Sequence, residues 1–192
     1  AGVIGDVKLT SAFFGYPFPL DESHRLIDKK LGGGSLLDQG VYTVTFADIF
    51  YGGAQPTKIE AKGTLLANGV DGLTLVNLEY GDGRFAQANS SLSLGLGTEA
   101  FIAGTKGNIH VKGSFWNSDD ADIITIGQTG MPDVRQLKGG KVGAGYTHMI
   151  SQVSADVMAG KTVSDIHPIS NTIRTQGLFD QILAQMGVNY GV

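Results

Sequence analysis

The 192-residue sequence has no cysteine and few charged side chains, which make up 17% of the residues. Without cysteine the chain has no disulfide framework, no thiolate nucleophile and no thiolate metal site. Basic residues are outnumbered and scattered: 14 lysines and arginines stand against 18 aspartates and glutamates. Lys29 and Lys30 are the only adjacent basic pair, so we expect no nucleic-acid surface. No apolar run reaches the ~20 residues of a membrane span, so we expect no membrane partner and a cytoplasmic location.

Glycine is abundant, at 29 of 192 residues, roughly twice the usual ~7%. The glycines show no triplet period, which excludes a collagen-like chain. They separate short apolar runs instead, as expected of tight turns between strands. The length suits one domain with a sizeable core, so we treat residues 1–192 as a single domain.

The apolar periodicity predicts a strand at residues 6–16, then a helix from Ser35 to about Phe50. A strand-rich middle follows, with turns at Asn68-Gly69, Gly81-Asp82-Gly83 and Gly104–Gly107. The last predicted strand is Ile123–Ile126, and residues 127–143 are predicted to be a loop. Two helices close the chain, one from Tyr146 to Val157 and one from an N-cap at Ser170 to Gly187. Grouped strands predict an α+β fold: an open, mostly antiparallel sheet with helices packed on one face.

The most informative motif is Gly32-Gly33-Gly34-Ser35-Leu36-Leu37-Asp38-Gln39-Gly40-Val41-Tyr42. If its apolar continuation is an α-helix, Asp38 and Tyr42 lie one turn apart on one face. A carboxylate beside a phenol is a candidate pair for proton transfer. The alternative is that Tyr42 is a half-buried core residue with a satisfied hydroxyl, and Asp38 an acid favoured by the helix dipole.

Other polar side chains give weaker signals. His24 and Arg25 precede the glycine run and could reach a substrate hydroxyl, although solvated loop residues have the same pattern. The four histidines have no metal-ligand spacing, so we expect no metal. The glycine run lacks the Lys-Ser/Thr step of a phosphate-binding loop. Trp116 after Phe115 fits a subunit surface or the core equally well.

The glycine-rich motif resembles a signature of the glucose-fructose oxidoreductase / inositol dehydrogenase family, and is most similar to its dimeric dihydrodiol dehydrogenase members. Further segments agree in order and spacing. They are Asp82-Gly83, the run Ile102–Ile109, Gly145-Tyr146 and Phe179-Asp180-Gln181-Ile182. The likeness covers the chain from Ile4 to Tyr190.

The resemblance implies that this stretch is the C-terminal, substrate-binding and dimerisation half of a two-domain oxidoreductase. It assigns Tyr42 and Asp38 as catalytic, with Tyr42 exchanging a proton with the substrate oxygen. It gives as substrate-binding candidates Gly34, Arg25, His24, Tyr146 and His148. Family members often carry an acid next to His148, where this chain has Met149.

The resemblance also implies that NAD or NADP binds to an N-terminal Rossmann domain, which we expect to lie outside this chain. No Gly-x-Gly-x-x-Gly between a strand and a helix is present, and no lysine precedes a proline as the family's catalytic lysine does. We therefore expect no cofactor on this chain alone and no turnover from it. The substrate of the whole protein would be a sugar, polyol or trans-dihydrodiol, and the sheet face would form a homodimer. The alternatives are a non-catalytic binding or structural module of the same fold, and an unrelated β-rich binding domain.

Overall fold

A computed structural model describes residues 2–19, 21, 23–127, 129–140, 142–143 and 145–191. Eight strands form one sheet. They are β1 (Val7–Gly15), β2 (Lys58–Leu65), β3 (Asp71–Tyr80), β4 (Arg84–Ser91), β5 (Ala100–Gly104), β6 (Gly107–Val111), β7 (Asp120–Ile126) and β8 (Pro132–Lys138). The α-helices are α1 (Val41–Phe50), α2 (Thr147–Met158) and α3 (Ile169–Met186).

The strand order in the sheet is β2-β3-β4-β1-β5-β6-β7-β8. Every neighbouring pair is antiparallel except β1 and β4, which run parallel with Leu9 opposite Phe85. A parallel pair needs a long crossover, and here the crossover contains α1 and the β2–β3 hairpin. The predicted α+β fold with an open, mostly antiparallel sheet is confirmed.

The main core lies between one face of the sheet and helices α1 and α3. Side chains alternate along each strand, so every second residue of β3 and β4 faces the helices. The core residues that are most deeply enclosed come from all of these elements: Val76, Leu78, Ala86 and Ala88 from the strands, and Val44, Ala47, Phe179 and Ile182 from the helices. At the edge of this core, Arg174 of α3 donates two hydrogen bonds, of 3.0 and 2.7 Å, to the buried Asp48 of α1. This ion pair fixes the two helices against each other.

The prediction of a loop over residues 127–143 was wrong. Residues Pro132–Lys138 form β8, which pairs with β7 so that Val134 lies opposite Ile124. All seven residues of β8 are exposed, so no apolar alternation marks the strand. Proline and charged residues are typical of such edge strands. Gln128 and Lys141, which the loop prediction included, lie outside the described residues.

The two C-terminal helices were predicted nearly in place, with two differences. Helix α3 begins at Ile169 after an extended Pro168, so Ser170 lies inside the first turn and is not the N-cap. Helix α2 has the predicted apolar stripe, yet Met149, Ile150 and Val153 are exposed. Periodicity identifies an amphipathic helix without identifying what covers it. None of the helices in the described ranges is long and apolar enough to cross a membrane.

The helical segment after the glycine run begins with a π-turn, Leu36–Gly40, before α1. Its first residue is held by a side chain from another element. Asp71 of β3 accepts on Oδ2 the Leu36 N–H at 2.7 Å and the hydroxyls of Ser35 at 2.7 Å and Thr74 at 2.6 Å. All four residues are buried. Burial raises the pKa of the Asp71 carboxyl, and the three donated hydrogen bonds oppose that rise.

Gly34 lies directly against this carboxylate. A Cβ atom on Gly34 would lie 2.3 Å from Asp71 Oδ1 and 3.1 Å from the hydroxyl of Tyr190, and the residue has φ +125°. The Tyr190 hydroxyl donates to the Gly33 carbonyl at 2.6 Å. The end of the chain and β3 therefore enclose the glycine run from two sides.

We expect Gly34→Ala to lower the free energy of unfolding by about 2 kcal/mol or more, since it combines a collision with an unfavourable φ. Gly177→Ala is the matched control: Gly177 lies inside α3 with open space around it. That change should stabilise the chain by about 0.5–1 kcal/mol, because alanine has less conformational freedom to lose. Urea unfolding of both variants measures the two effects. A Gly34→Ala protein as stable as the wild type would contradict the packing described.

The raised pKa of Asp71 predicts a pH dependence of stability. Because the folded-state pKa lies above the ordinary 3.8, the contribution of this carboxyl to stability is complete below that pH and declines as pH rises through the folded pKa. Asp71→Asn has no such titration. The difference in unfolding free energy, wild type minus Asp71→Asn, should therefore fall from pH 3.8 upward and then level off. Urea unfolding from acid to neutral pH measures this difference, and a difference that grows with pH would contradict the prediction.

Candidate functional site

A groove of about 670 Å³ lies along the outer side of α1, opposite the side that packs on the sheet. Its other wall is the short helical turn Phe115–Asn117 that precedes β7. The lining is mostly apolar and aromatic: Val41, Tyr42, Thr45, Phe46, Ile49, Phe50, Phe115 and Trp116. Its size and apolar character are those of a small-molecule site.

Four aromatic side chains hold one end of the groove together. Phe14 of β1 stacks on Trp116 with ring centroids 3.9 Å apart and an interplanar angle of 10°. The Tyr42 ring lies 5.4 Å from Phe14 and 5.6 Å from Trp116, and Phe115 contacts Trp116 edge-on. Aromatic pairs of this kind contribute about 0.5–1.5 kcal/mol each beyond area burial. The ring of Tyr42 is therefore fixed by its neighbours.

Tyr42 brings a phenolic hydroxyl to this mostly apolar groove, whose lining also includes Thr45. Tyr42 is 43% exposed, and its hydroxyl has no hydrogen bond to any other residue that the structure describes. Tyr51, Tyr80 and Tyr190 are wholly or partly buried, and none of them is part of the groove lining. Tyr42 is thus the tyrosine of the groove lining, and its hydroxyl is accessible to a ligand bound there.

The partner that the structure gives Asp38 is Arg25. Its carboxylate lies 3.3 Å from Arg25 Nη1, and no hydrogen bond joins Asp38 to Tyr42 within the described chain. Asp38 lies within the π-turn that ends just before α1. The hydrogen bonds of a π-turn span five residues instead of four, so the spacing argument for an α-helix does not apply directly to Asp38 and Tyr42. A catalytic role for Asp38 stays a prediction.

The remaining predicted substrate residues are spread over several places. Arg25 is largely exposed beside Asp38. The Nδ1 atom of His24 accepts the Leu26 N–H at 3.3 Å. Gly34 is enclosed by Asp71 and Tyr190, so close packing explains why this position is a glycine.

Tyr146 and His148 lie at the start of α2. His148 lines a second depression of about 240 Å³ together with Asn117 and Gly145. Because Asn117 follows Trp116 directly, the start of α2 adjoins the wall of the aromatic groove. Tyr146 is largely exposed there. The substrate-binding roles of these residues, and of Gly34, Arg25 and His24, stay predictions.

The sequence reasoning missed most of the groove lining. Tyr42, Phe46 and Phe50 are spaced four residues apart within α1, so they form one aromatic stripe. The Phe46 ring lies 4.9 Å from Phe50 and 5.3 Å from Phe115. The stripe was readable from the sequence; its meeting with Phe115 and Trp116 was not, since it depends on the sheet topology.

No group of three or more histidine or acidic side chains among the described residues is arranged to bind a metal ion. The glycine run does not fit the phosphates of NAD or NADP, because it is packed against Asp71, Tyr190 and the backbone of Ile27 and Asp28. What the site does contain is an apolar aromatic groove with one free phenol.

Comparison with known proteins identifies the family. Residues 1–110 match the family of GFO/IDH/MocA C-terminal domains. Trans-1,2-dihydrobenzene-1,2-diol dehydrogenase of Xenopus tropicalis is 32% identical over 193 residues, covering 97% of this chain and 56% of that protein. The human enzyme of the same name is 27% identical over 192 residues, covering 98% of this chain and 56% of its own length. The chain thus spans about half the length of the curated relatives it matches.

Solved structures share the fold at lower identity. Aldose-aldose oxidoreductase from Caulobacter crescentus, complexed with glycerol, has a TM-score of 0.79 at 18% identity, covering 96% of this chain and 54% of that one. The 3-ketoreductase KijD10 from Actinomadura kijaniata, in complex with NADP and TDP-benzene, has a TM-score of 0.75 at 21% identity, covering 96% of this chain and 55% of that one. Together with the family match, these likenesses lead to one conclusion: the chain belongs to the GFO/IDH/MocA family and corresponds to its C-terminal domain.

Proposed function

We propose that this chain is the substrate-binding and subunit-contact part of an NAD(P)-dependent oxidoreductase that acts on a diol or sugar, with a trans-dihydrodiol as the preferred class. The single observation that carries the proposal is the free hydroxyl of Tyr42 at the aromatic end of the groove. The names of the relatives support the reaction class, since those proteins are dehydrogenases of a dihydrodiol.

The groove chemistry favours a flat, partly apolar ring over a fully hydroxylated sugar. Phe14, Trp116 and Phe115 supply aromatic faces and edges, against which an unsaturated ring packs well. A polyol would leave hydroxyl groups without partners against such a wall, and an unpaired buried polar group is costly. A diol whose ring packs against these aromatic side chains can instead direct its two hydroxyls to the open side of the groove, which faces solvent.

Tyr42 would then act as the acid–base group that exchanges a proton with the reacting oxygen of the substrate. In its phenolate form Tyr42 accepts the proton of the alcohol when the alcohol is oxidised and its hydride passes to the nucleotide of the parent protein. In the reverse direction the neutral phenol donates its proton to the carbonyl oxygen as hydride arrives at the carbonyl carbon. The ring contacts with Phe14 and Trp116 orient that hydroxyl before the substrate arrives, which lowers the entropic part of the barrier. NAD or NADP, in this proposal, is bound outside this chain by the part of the parent protein that its relatives have in addition.

The single tryptophan, Trp116, provides a direct binding test. We expect trans-1,2-dihydrobenzene-1,2-diol to change the Trp116 fluorescence of this chain in a saturable way, and glucose to do so at least about tenfold more weakly. In the full-length parent with NAD or NADP, Tyr42→Phe should lower kcat about 10²–10⁴-fold, since it removes the acid–base group, with KM changed far less.

The matched control is Tyr80→Phe, which removes a buried phenolic hydroxyl that is not part of the groove. It should leave kcat and the fluorescence titration close to those of the wild type. A parent protein with no nucleotide-dependent turnover, or a Tyr42→Phe enzyme with normal kcat, would refute the proposed role.

The open face of the sheet supports the second half of the proposal, a homodimer through this face. On the side away from the helices, apolar side chains of β1, β3, β4 and β5 are exposed to solvent: Leu9, Leu75, Phe85 and Phe101. An apolar sheet face of this kind marks an interaction surface, and a two-fold pairing with a copy of itself buries the same residues on both subunits.

Light scattering should therefore give the mass of a dimer at micromolar concentration, and Phe101→Glu should give a folded monomer because it places a charge in the centre of the contact. Val163→Glu is the control, since Val163 is also apolar and exposed but lies between α2 and α3. It should remain a dimer. A monomeric wild type at high concentration would exclude the sheet-face dimer.

A further inference from the structure

We propose that Asp71 is the positioning residue of this site: from the far side of the helical segment, its buried carboxylate fixes the direction in which Tyr42 projects into the groove. The consequence for turnover rests on the proposed function, whereas the effect on the geometry of Tyr42 does not. Asp71 lies in β3, outside the groove lining, so it acts only through other residues.

The first step of the argument is that the helical segment has no cap of its own. Ser35 stands at the N-cap position, but its side chain makes no capping hydrogen bond. Its hydroxyl donates to Asp71 instead. The Leu36 N–H, one of the first backbone donors that have no partner within a helix, also donates to Asp71. A carboxylate from a neighbouring strand therefore replaces the missing cap, at the end of the helix where negative charge is favourable.

The second step concerns the geometry around the carboxylate, which allows little adjustment. Its Oδ2 atom receives three donors within 2.7 Å, while Oδ1 has no partner among the described residues. Gly34 leaves no space on the Oδ1 side, since even a Cβ atom there would lie 2.3 Å away. The carboxylate is thus held in one orientation, and so is the residue whose N–H it accepts.

The third step connects this anchor to Tyr42. After Leu36 the π-turn passes Gln39, whose amide, with its nitrogen facing the strands, donates to the carbonyls of Phe14 at 3.1 Å and Ser91 at 2.7 Å. Gly40 then lies so close to Ser90 that a Cβ would be 3.1 Å from its hydroxyl oxygen. Tyr42 follows two residues later and meets the ring of the same Phe14. From Asp71 to Tyr42 the segment is therefore fixed at each turn against β1 and β4.

Asp71→Asn tests the proposal with a change of one atom. The amide presents an N–H group or a weaker acceptor to three donors, so the anchor is lost or weakened. In this chain we expect amide exchange of Leu36 to be faster by about tenfold or more, and the near-ultraviolet circular dichroism of Trp116 to change because Tyr42 and Trp116 no longer meet in one geometry. In the full-length parent, kcat should fall about 10–100-fold with KM within about threefold.

Asp48→Asn is the matched control. Asp48 is also a buried carboxylate of the same helical segment, but it pairs with Arg174 near the other end of α1. Asp48→Asn should lower the free energy of global unfolding but leave the Trp116 signal unchanged. Its Leu36 amide should exchange no faster than the lower global stability accounts for. Equal changes of the Trp116 signal in both variants would overturn the proposal, as would an unchanged signal in Asp71→Asn.

Thr74→Val keeps the test decisive if Asp71→Asn does not fold. It removes one of the three donors to Oδ2 and should change the Trp116 signal in the same direction by a smaller amount; no change would overturn the proposal. The two proposals fail separately. A Trp116 signal that depends on Asp71 in a protein without nucleotide-linked turnover refutes the oxidoreductase and supports the positioning role. Normal wild-type turnover, together with an Asp71→Asn enzyme whose Trp116 signal and kcat are unchanged, supports the oxidoreductase and refutes the positioning role.

Discussion

A carboxylate enclosed among hydrogen-bond donors connects the sheet to the functional groove. Asp71 has no access to water, and the hydrogen bonds donated by Ser35, Leu36 and Thr74 offset the cost of burying its carboxyl group. Those contacts fix where the helical segment starts on the sheet. Once the start is fixed, the packing of Val44 and Ala47 against the strands determines which side of α1 faces outward. The orientation of the whole groove depends on that one buried interaction.

The groove shows how a helix can serve the core and a ligand at the same time. The inner side of α1 is occupied by small and β-branched residues that approach the sheet closely, while its outer side carries the aromatic stripe of Tyr42, Phe46 and Phe50. The Phe115–Asn117 turn then closes the open side of that stripe. Phe14 reaches the same place from the central strand. Rigid elements thus position the free phenol, as accurate binding requires.

Most of the fold was predictable from the sequence because its signals are local. The turn at Gly81–Gly83, the alternation of Ala86 and Ala88, and the period of α3 each depend on a few consecutive residues. Strand β8 was missed because a fully exposed edge strand has no apolar pattern to detect. The parallel pairing of β1 with β4 was also unpredictable, since nothing within either strand encodes its distant neighbour.

The sequence singled out one residue of the groove lining and not the residues around it. The glycine-rich motif pointed to Tyr42, which the structure places in the groove. It also pointed to Asp38, which lies in the π-turn and pairs with Arg25, and a π-turn has no sequence signature at this level. Asp71 gave no signal, because its importance comes from a contact between residues 35 positions apart in the chain. Sequence patterns identify residues with reactive side chains. The residues that hold those side chains in position are determined by tertiary contacts, which the patterns do not encode.

The placement of β1 in the middle of the sheet has a consequence for how the chain is made. Leu9 pairs with Phe85 on one side and with Ala103 on the other, so both partners are synthesised long after β1 itself. At ribosomal speeds of about 5–20 residues per second, β1 waits roughly 4–15 s for its first neighbour. During that interval its backbone groups are unpaired on both edges. Nascent chains of this protein should therefore be clients for factors that shield extended, apolar segments until β4 and β5 emerge.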